Sequence, residues 1–145
     1  MLSIGNALTA SRLFHKLYTR EIGDAAAQYG LKTTEADILL FLHNNPQYDT
    51  ARDIVNVRGI AKSYASTSIE LLTQKGYLSI QPDSKDRRIT RLHLTSDSSR
   101  VLDKLVAAQS RVLSLLVKDI PEERRQEVHL AFQQMEKNIK EALSS

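Results

Sequence analysis

The stretch PDSKDRRITRLHLT, Pro82 to Thr95, places Lys85, Arg87 and Arg88 within four residues. On either side the apolar period is two: Leu78 and Ile80 share one face of a first strand, and Leu92 and Leu94 share one face of a second. The cations therefore sit at the tip of a hairpin. A solvated turn needs polar residues but not three positive charges, so the tip is suited to meet an anion. Asp83 and Asp86 can accept hydrogen bonds from turn amides and orient the guanidinium groups of Arg87 and Arg88. Lys85, Asp86, Arg87 and Arg88 are the candidate binding residues of this tip. A second candidate surface precedes it, on a helix expected over residues 61–75. Burying Ala65, Ile69 and Leu72 turns Lys62, Ser63, Tyr64, Ser66 and Thr67 outward, with Glu70 beside them. Hydroxyls stand there where Glu, Lys or Gln would favour the helix more, which points to a contact surface. Arg52 and Arg58 are candidates for additional phosphate contacts.

Other chemistries find little support. The chain has no cysteine, which excludes disulfides, thiolate metal sites and thiol redox sensing. His15, His43, His93 and His129 are dispersed, with no pair at the i, i+4 spacing of a helical metal site, so no metal is expected. There is no nucleophile–base spacing, phosphate loop or paired ligand motif, and hence no catalytic residue or cofactor to assign. The expected activity is binding.

The charge distribution agrees. The whole chain of 145 residues carries +3, a mild excess. Eight of its cations but only four acids lie between Arg52 and Arg91, giving that segment +4 and the remainder −1. Such concentration is the footprint of a polyanionic partner. The length suits one domain, 1–145, able to bury roughly two-thirds of its unfolded surface. The longest apolar run, Ile38 to Leu42, is five residues, far below the ~18 that span a bilayer. Arg12, His15 and Lys16 break any signal-peptide apolar region, so the expected location is the cytoplasm.

The elements that must position these surfaces are mostly helical. Leu8, Leu13, Phe14, Leu17, Tyr18 and Ile22 recur at threes and fours in a first helix ending near Gly30. A second helix starts at Thr34 as N-cap, with Glu35 and Asp37 in its first turn, and stops at Asn44–Pro46. Thr50 caps the short helix ARDIVNV, Gly59 breaks it, and Gly76 ends the next helix. After the hairpin, helical spacing returns from Val101 to Leu116. Pro121, Glu122 and Glu123 then open a last helix carrying Val128, Phe132, Met135, Ile139 and Leu143.

A short helix, a glycine turn, a second helix and a hairpin make a winged helix-turn-helix. The fold class is mainly α with a small two- or three-stranded antiparallel wing, flanked by long N- and C-terminal helices. The second helix of such a unit is narrow enough to enter the major groove of double-stranded DNA, where base edges are distinguishable, while the wing lies along the backbone or dips into the minor groove. The apolar stripe Val128–Leu143 is too long to face solvent, so the terminal helices are expected to dimerise the chain through Leu8, Val128, Phe132, Met135, Ile139 and Leu143.

The residues DIVNVRGIAKSYASTSIELLTQKGYLSIQPDSKDRRITRLHLT, Asp53 to Thr95, resemble the core of the MarR family of bacterial transcriptional regulators. DSKDRR matches that family's D-x-R-D-x-R wing signature with Lys85 for the first arginine; KGYL and LHLT on either side match too. Thr67 stands where the family often has Arg or Lys, and Arg58 where an apolar residue is more usual. The resemblance implies a winged lobe at 33–95, dimerisation helices at 1–30 and 96–145, and a homodimer on a pseudo-palindromic operator in the bacterial cytosol or nucleoid. It implies a repressor, with a small aromatic effector held in a cleft for which Phe14, Tyr18 and His43 are candidates. The alternative is a winged-helix module that binds protein, favoured by the modest net charge and by Glu70 on the recognition face.

Overall fold

The computed structural model describes residues 2–145. The chain divides into two compact units, residues 1–112 and 113–145. The first begins with α1 (Ile4–Ala27), in which Ser3 Oγ accepts the Asn6 N–H at 3.0 Å and so caps the helix N-terminus. α1 is one helix with two fates. Its C-terminal end buries Ile22, Ala25 and Ala26, whereas Leu8 and Leu13 nearer the start are exposed.

α2 (Thr33–Asn44) is the centre of this unit: seven of its twelve residues are buried, including Ile38, Leu39 and Leu40. A helix apolar on nearly every side belongs inside, since each buried Leu or Ile contributes about 1.5–3 kcal/mol. The N-cap expected at Thr34 falls instead on Lys32. The reason is local: the Glu35 carboxylate reaches back to accept the Lys32 N–H at 3.4 Å, which starts the helix two residues earlier.

Thr50 caps α3 (Ala51–Asp53) as expected. Its Oγ1 accepts the Asp53 N–H at 3.1 Å, and Asp53 Oδ2 accepts the Thr50 N–H at 3.2 Å. The next turn departs from a plain helix, because Ile54–Arg58 is π-helical and ends at Gly59, whose φ of 83° is left-handed. α4 (Lys62–Gln74) buries Ala65, Ser68, Ile69 and Leu72 and ends at Gly76, also left-handed at φ 81°. There Tyr77 N–H donates to Leu72 O at 2.9 Å and Gly76 N–H to Thr73 O at 3.0 Å, satisfying two of the helix's terminal carbonyls.

β1 (Leu78–Pro82) and β2 (Thr90–Leu94) form an antiparallel pair with Leu78 opposite Leu94 and Ile80 opposite Leu92. The expected two- or three-stranded wing is this pair plus a single bridge between Thr50 and Arg91. Leu78 and Leu92 reach the core, whereas Ile80, opposite Leu92, is exposed. A 3₁₀ turn at Ser96–Ser98 leads into α5 (Ser99–Leu116), which adds Val101, Leu102, Leu105, Ala108 and Val112 to the core.

The second unit contains α6 (Glu122–Leu143), entered through Pro121 with Glu122 and Glu123 in its first turn. None of its residues is buried.

Candidate nucleic-acid interface

α4 presents all five expected contact residues. Lys62, Ser63, Tyr64, Ser66 and Thr67 are exposed, while Ala65, Ser68 and Ile69 between them face the core. Helical spacing alone produces this separation, so one face packs and the other carries an amine, three hydroxyls and a phenol.

The wing tip is ordered by two carboxylates. Asp83 Oδ2 accepts the N–H groups of Lys85 at 3.0 Å and Asp86 at 2.9 Å, and its Oδ1 accepts Arg91 Nε at 3.1 Å. These donors, the Asp86 amide foremost, hold the Asp83 carboxyl below the usual carboxylate range. Asp86 does the same for Arg88, accepting its N–H at 3.0 Å, its Nε at 3.1 Å and its Nη2 at 3.2 Å. The Arg88 guanidinium, with the nearby charge of Arg52 as the smallest contributor, lowers the Asp86 pKa.

The four wing cations thereby fall into three groups. Arg91 is bound on two sides. Arg88 folds onto Asp86 yet remains 91% exposed. Lys85 and Arg87 are exposed and, among the described residues, have no carboxylate within ion-pair distance. Of the two supplementary arginines, Arg52 is exposed on α3, and Arg58 donates from Nη2 to Asp37 Oδ2 at 3.0 Å.

That Arg58–Asp37 pair borders a cleft of about 400 Å³ lined by residues of α1, α2 and α5 together with Arg58. Tyr18 OH donates to Asp37 Oδ1 at 3.0 Å, Gln109 Nε2 donates to Tyr18 OH at 3.3 Å, and Asn44 Nδ2 donates to Gln109 Oε1 at 3.0 Å. Burial pushes the Tyr18 phenol above its ordinary pKa, against the donation from Gln109, so it stays a protonated donor. Phe14 and Tyr18 line this cleft as expected from sequence. His43 is exposed on α2 and is not among the lining residues, which include His15 instead. No sequence signal marked Asp37, Asn44 and Gln109 as cleft residues, because their meeting depends on residues as much as 91 positions apart.

The residues expected to dimerise are mostly exposed: Leu8 on α1, and Phe132, Met135, Ile139 and Leu143 on α6, with Val128 half-buried. No group of His, Asp and Glu able to hold a metal ion occurs among the described residues. Nor is any helix among them long and apolar enough to cross a membrane.

Residues 29–89, which hold α2, both helices of the helix-turn-helix and most of the wing, match the model of the MarR family. That match covers most of the winged lobe and leaves out most of the flanking helices. No curated protein matches the chain closely enough to count as a relative. Solved structures do. A MarR transcriptional regulator from Methanosarcina mazei Go1 superposes with a TM-score of 0.80 at 22% identity, over 96% of this chain and 97% of that one. A MarR family transcriptional regulator from Listeria monocytogenes, complexed with 26mer DNA, gives 0.84 at 15% identity, over 98% and 92%. BpsR from Bordetella bronchiseptica, whose DNA binding is regulated by 6-hydroxynicotinic acid, gives 0.69 at 17% identity, over 92% and 93%. The chain thus has the fold of MarR-family transcriptional regulators along nearly its whole length.

Proposed function

We propose that this MarR-fold protein is a sequence-specific regulator of transcription that acts in the bacterial cytosol as a homodimer, binding a pseudo-palindromic operator and repressing from it. Its activity is binding rather than catalysis. The observation that carries this reading is the sorting of the wing cations. A tip built only as a solvated turn would leave no reason to hold Lys85 and Arg87 unpaired on a scaffold where Asp83 and Asp86 fix every neighbouring charge. On the same lobe, Lys62, Ser63, Tyr64, Ser66 and Thr67 form the face that reads base edges in the major groove, while Lys85, Arg87 and Arg88 with Arg52 follow the backbone. Arg58, bound to Asp37, serves the cleft more than the phosphates.

The winged lobe is residues 33–95, and the flanking helices, 1–30 and 96–145, dimerise the chain. The exposed apolar residues of α1 and α6 support that assignment, since a solvated helix has no use for Phe132 and Ile139 on its surface. A small aromatic effector in the cleft around Phe14 and Tyr18 is the proposed release signal, in keeping with the DNA-bound and ligand-regulated proteins that share the fold.

Selection of bound sequences from a random duplex pool at physiological salt tests the core of this. The expected result is an enriched inverted repeat with half-sites about 34–36 Å apart, one helical turn. Arg87→Ala should weaken binding to every duplex and reduce the salt slope by about one, whereas Thr67→Ala should change the preferred bases. Absence of any enriched sequence, with binding that vanishes as salt rises, would instead favour a protein partner for the α4 face, where Glu70 is exposed.

A further inference from the structure

Arg91 belongs by sequence to the cationic segment, but its guanidinium is engaged by two carboxylates of the lobe itself. Nη1 donates to Asp49 Oδ1 at 2.5 Å and Nε to Asp83 Oδ1 at 3.1 Å. Asp49 lies in the loop between α2 and α3, immediately before the capping residue Thr50. The same loop is joined to β2 through the backbone, by Leu92 N–H donating to Asp49 O at 2.7 Å and by the Thr50–Arg91 bridge. Asp83, on the other side, is the carboxylate that holds the Lys85 and Asp86 amides. One side chain therefore links the entry to the helix-turn-helix, the second wing strand and the turn that carries the unpaired cations.

Nothing apolar can perform that task. In the hairpin strands only Leu78 and Leu92 are buried; Ile80, opposite Leu92, and Gln81 and Pro82 beyond it toward the tip are exposed. A two-stranded ribbon with a solvated end twists freely unless something ties it down. The planar guanidinium has separate N–H groups for two carboxylates in fixed directions, which a lysine ammonium does not offer.

We infer that Arg91 and Asp49 are positioning residues: they form a strut that sets the wing's angle to α3 and α4 and so decides whether Lys85 and Arg87 reach the DNA backbone, without touching DNA themselves. This rests on the DNA-binding reading above and adds to it a determinant outside the contact surface. It also makes a counter-intuitive prediction. Asp49→Asn removes a negative charge beside the interface, so long-range electrostatics alone would tighten binding to DNA. With the strut lost, binding weakens.

The test is a double-mutant cycle on the full chain with the duplex enriched by selection. The variants are Arg91→Gln, Asp49→Asn, the tip variant Lys85→Ala/Arg87→Ala, and Arg91→Gln combined with the tip variant. Expected are weakening of about tenfold by Arg91→Gln and by Asp49→Asn, equivalent to roughly 1.4 kcal/mol, and no further loss when Arg91→Gln is added to the tip variant. Tighter binding by Asp49→Asn, or an Arg91→Gln loss that adds in full to the tip variant, overturns the strut and makes Arg91 a direct contact. If no duplex is enriched the DNA-binding reading itself fails, and if wild type and the tip variant bind the enriched duplex equally the wing cations are not contacts. The strut is then judged by hydrogen exchange at the Lys85 and Asp86 amides, with α2 amides as the control for folding. Faster exchange at those two in both Arg91→Gln and Asp49→Asn supports it, and unchanged exchange overturns it.

Discussion

α2 and α6 carry apolar residues at similar helical intervals and come to opposite ends. Ile38, Leu39 and Leu42 of α2 are buried against α1, α4 and α5 within residues 1–112, whereas on α6 Phe132 stays 65% exposed and Leu143 81% exposed. α1 repeats the contrast along its own length, burying Ile22 while leaving Leu8 in solvent. Apolar periodicity states that a face will be covered, but not whether the cover is the same chain or another copy. α2 finds its partners in its own unit. The uncovered faces of α1 and α6 are those the proposed homodimer must close.

The largest effect should come from breaking the uncovered face. Phe132→Asp is expected to leave the monomer folded, halve the mass seen by sedimentation, and cost about 10²–10⁴-fold in operator affinity as the second half-site is lost. A variant that remains dimeric would show that α6 is not the interface, and the contrast with α2 would need another explanation. Leu72→Ala, at a fully buried position of α4, works in the opposite sense. It should lower stability by about 2–5 kcal/mol through lost burial and a cavity, measurable by urea unfolding. Because that cavity lies inside one unit, the loss should not depend on protein concentration, whereas the effect of Phe132→Asp should.

The smallest expected effect sharpens the same point at the wing, which is held by charge rather than burial. Asp83 and Asp86 have lowered folded-state pKa values, so the stabilisation they provide is complete above the unfolded carboxylate value of about 3.9 and is lost as pH falls through the lower folded values. Exchange protection of the Lys85 and Asp86 amides should therefore be flat from neutrality to about pH 5 and decline below about pH 4. Asp83→Asn should remove that acid limb. Protection that tracks the α2 amides across the whole range would mean the wing is held by the core after all.

Much of the lobe was legible in the order of residues because its signals are local. Thr50 was readable as a cap from its type and place, Gly76 as a helix end, and the apolar faces Leu78/Ile80 and Leu92/Leu94 as strand faces, of which Leu78 and Leu92 are buried and Ile80 is not; the cap and the helix end depend on a few neighbouring dihedrals. The outward set on α4 came from spacing alone. Local rules failed where two local options compete. Thr34 and Lys32 could each begin α2, and the Glu35 carboxylate decided for Lys32. ARDIVNV reads as α-helix from its composition, yet from Ile54 onward it widens into a π-helix that closes on Gly59.

What the sequence determined by itself was the element order, the buried faces of α4 and the hairpin, and the concentration of charge between Arg52 and Arg91. These are short-range consequences of side-chain shape and periodicity, and they were sufficient to point to a winged helix-turn-helix; the resemblance to the MarR family rested on the DSKDRR, KGYL and LHLT motifs. Only the tertiary structure decided which charges are free. Arg91 and Arg87 are four residues apart and identical in type, but Arg91 meets Asp49, 42 positions away, and Arg87 meets no carboxylate among the described residues. The same holds for the cleft, where Tyr18 finds Asp37 and Gln109 while His43 lies outside the lining. Charge type is written residue by residue, whereas pairing needs two groups within about 4 Å, and that distance exists only once the chain has folded.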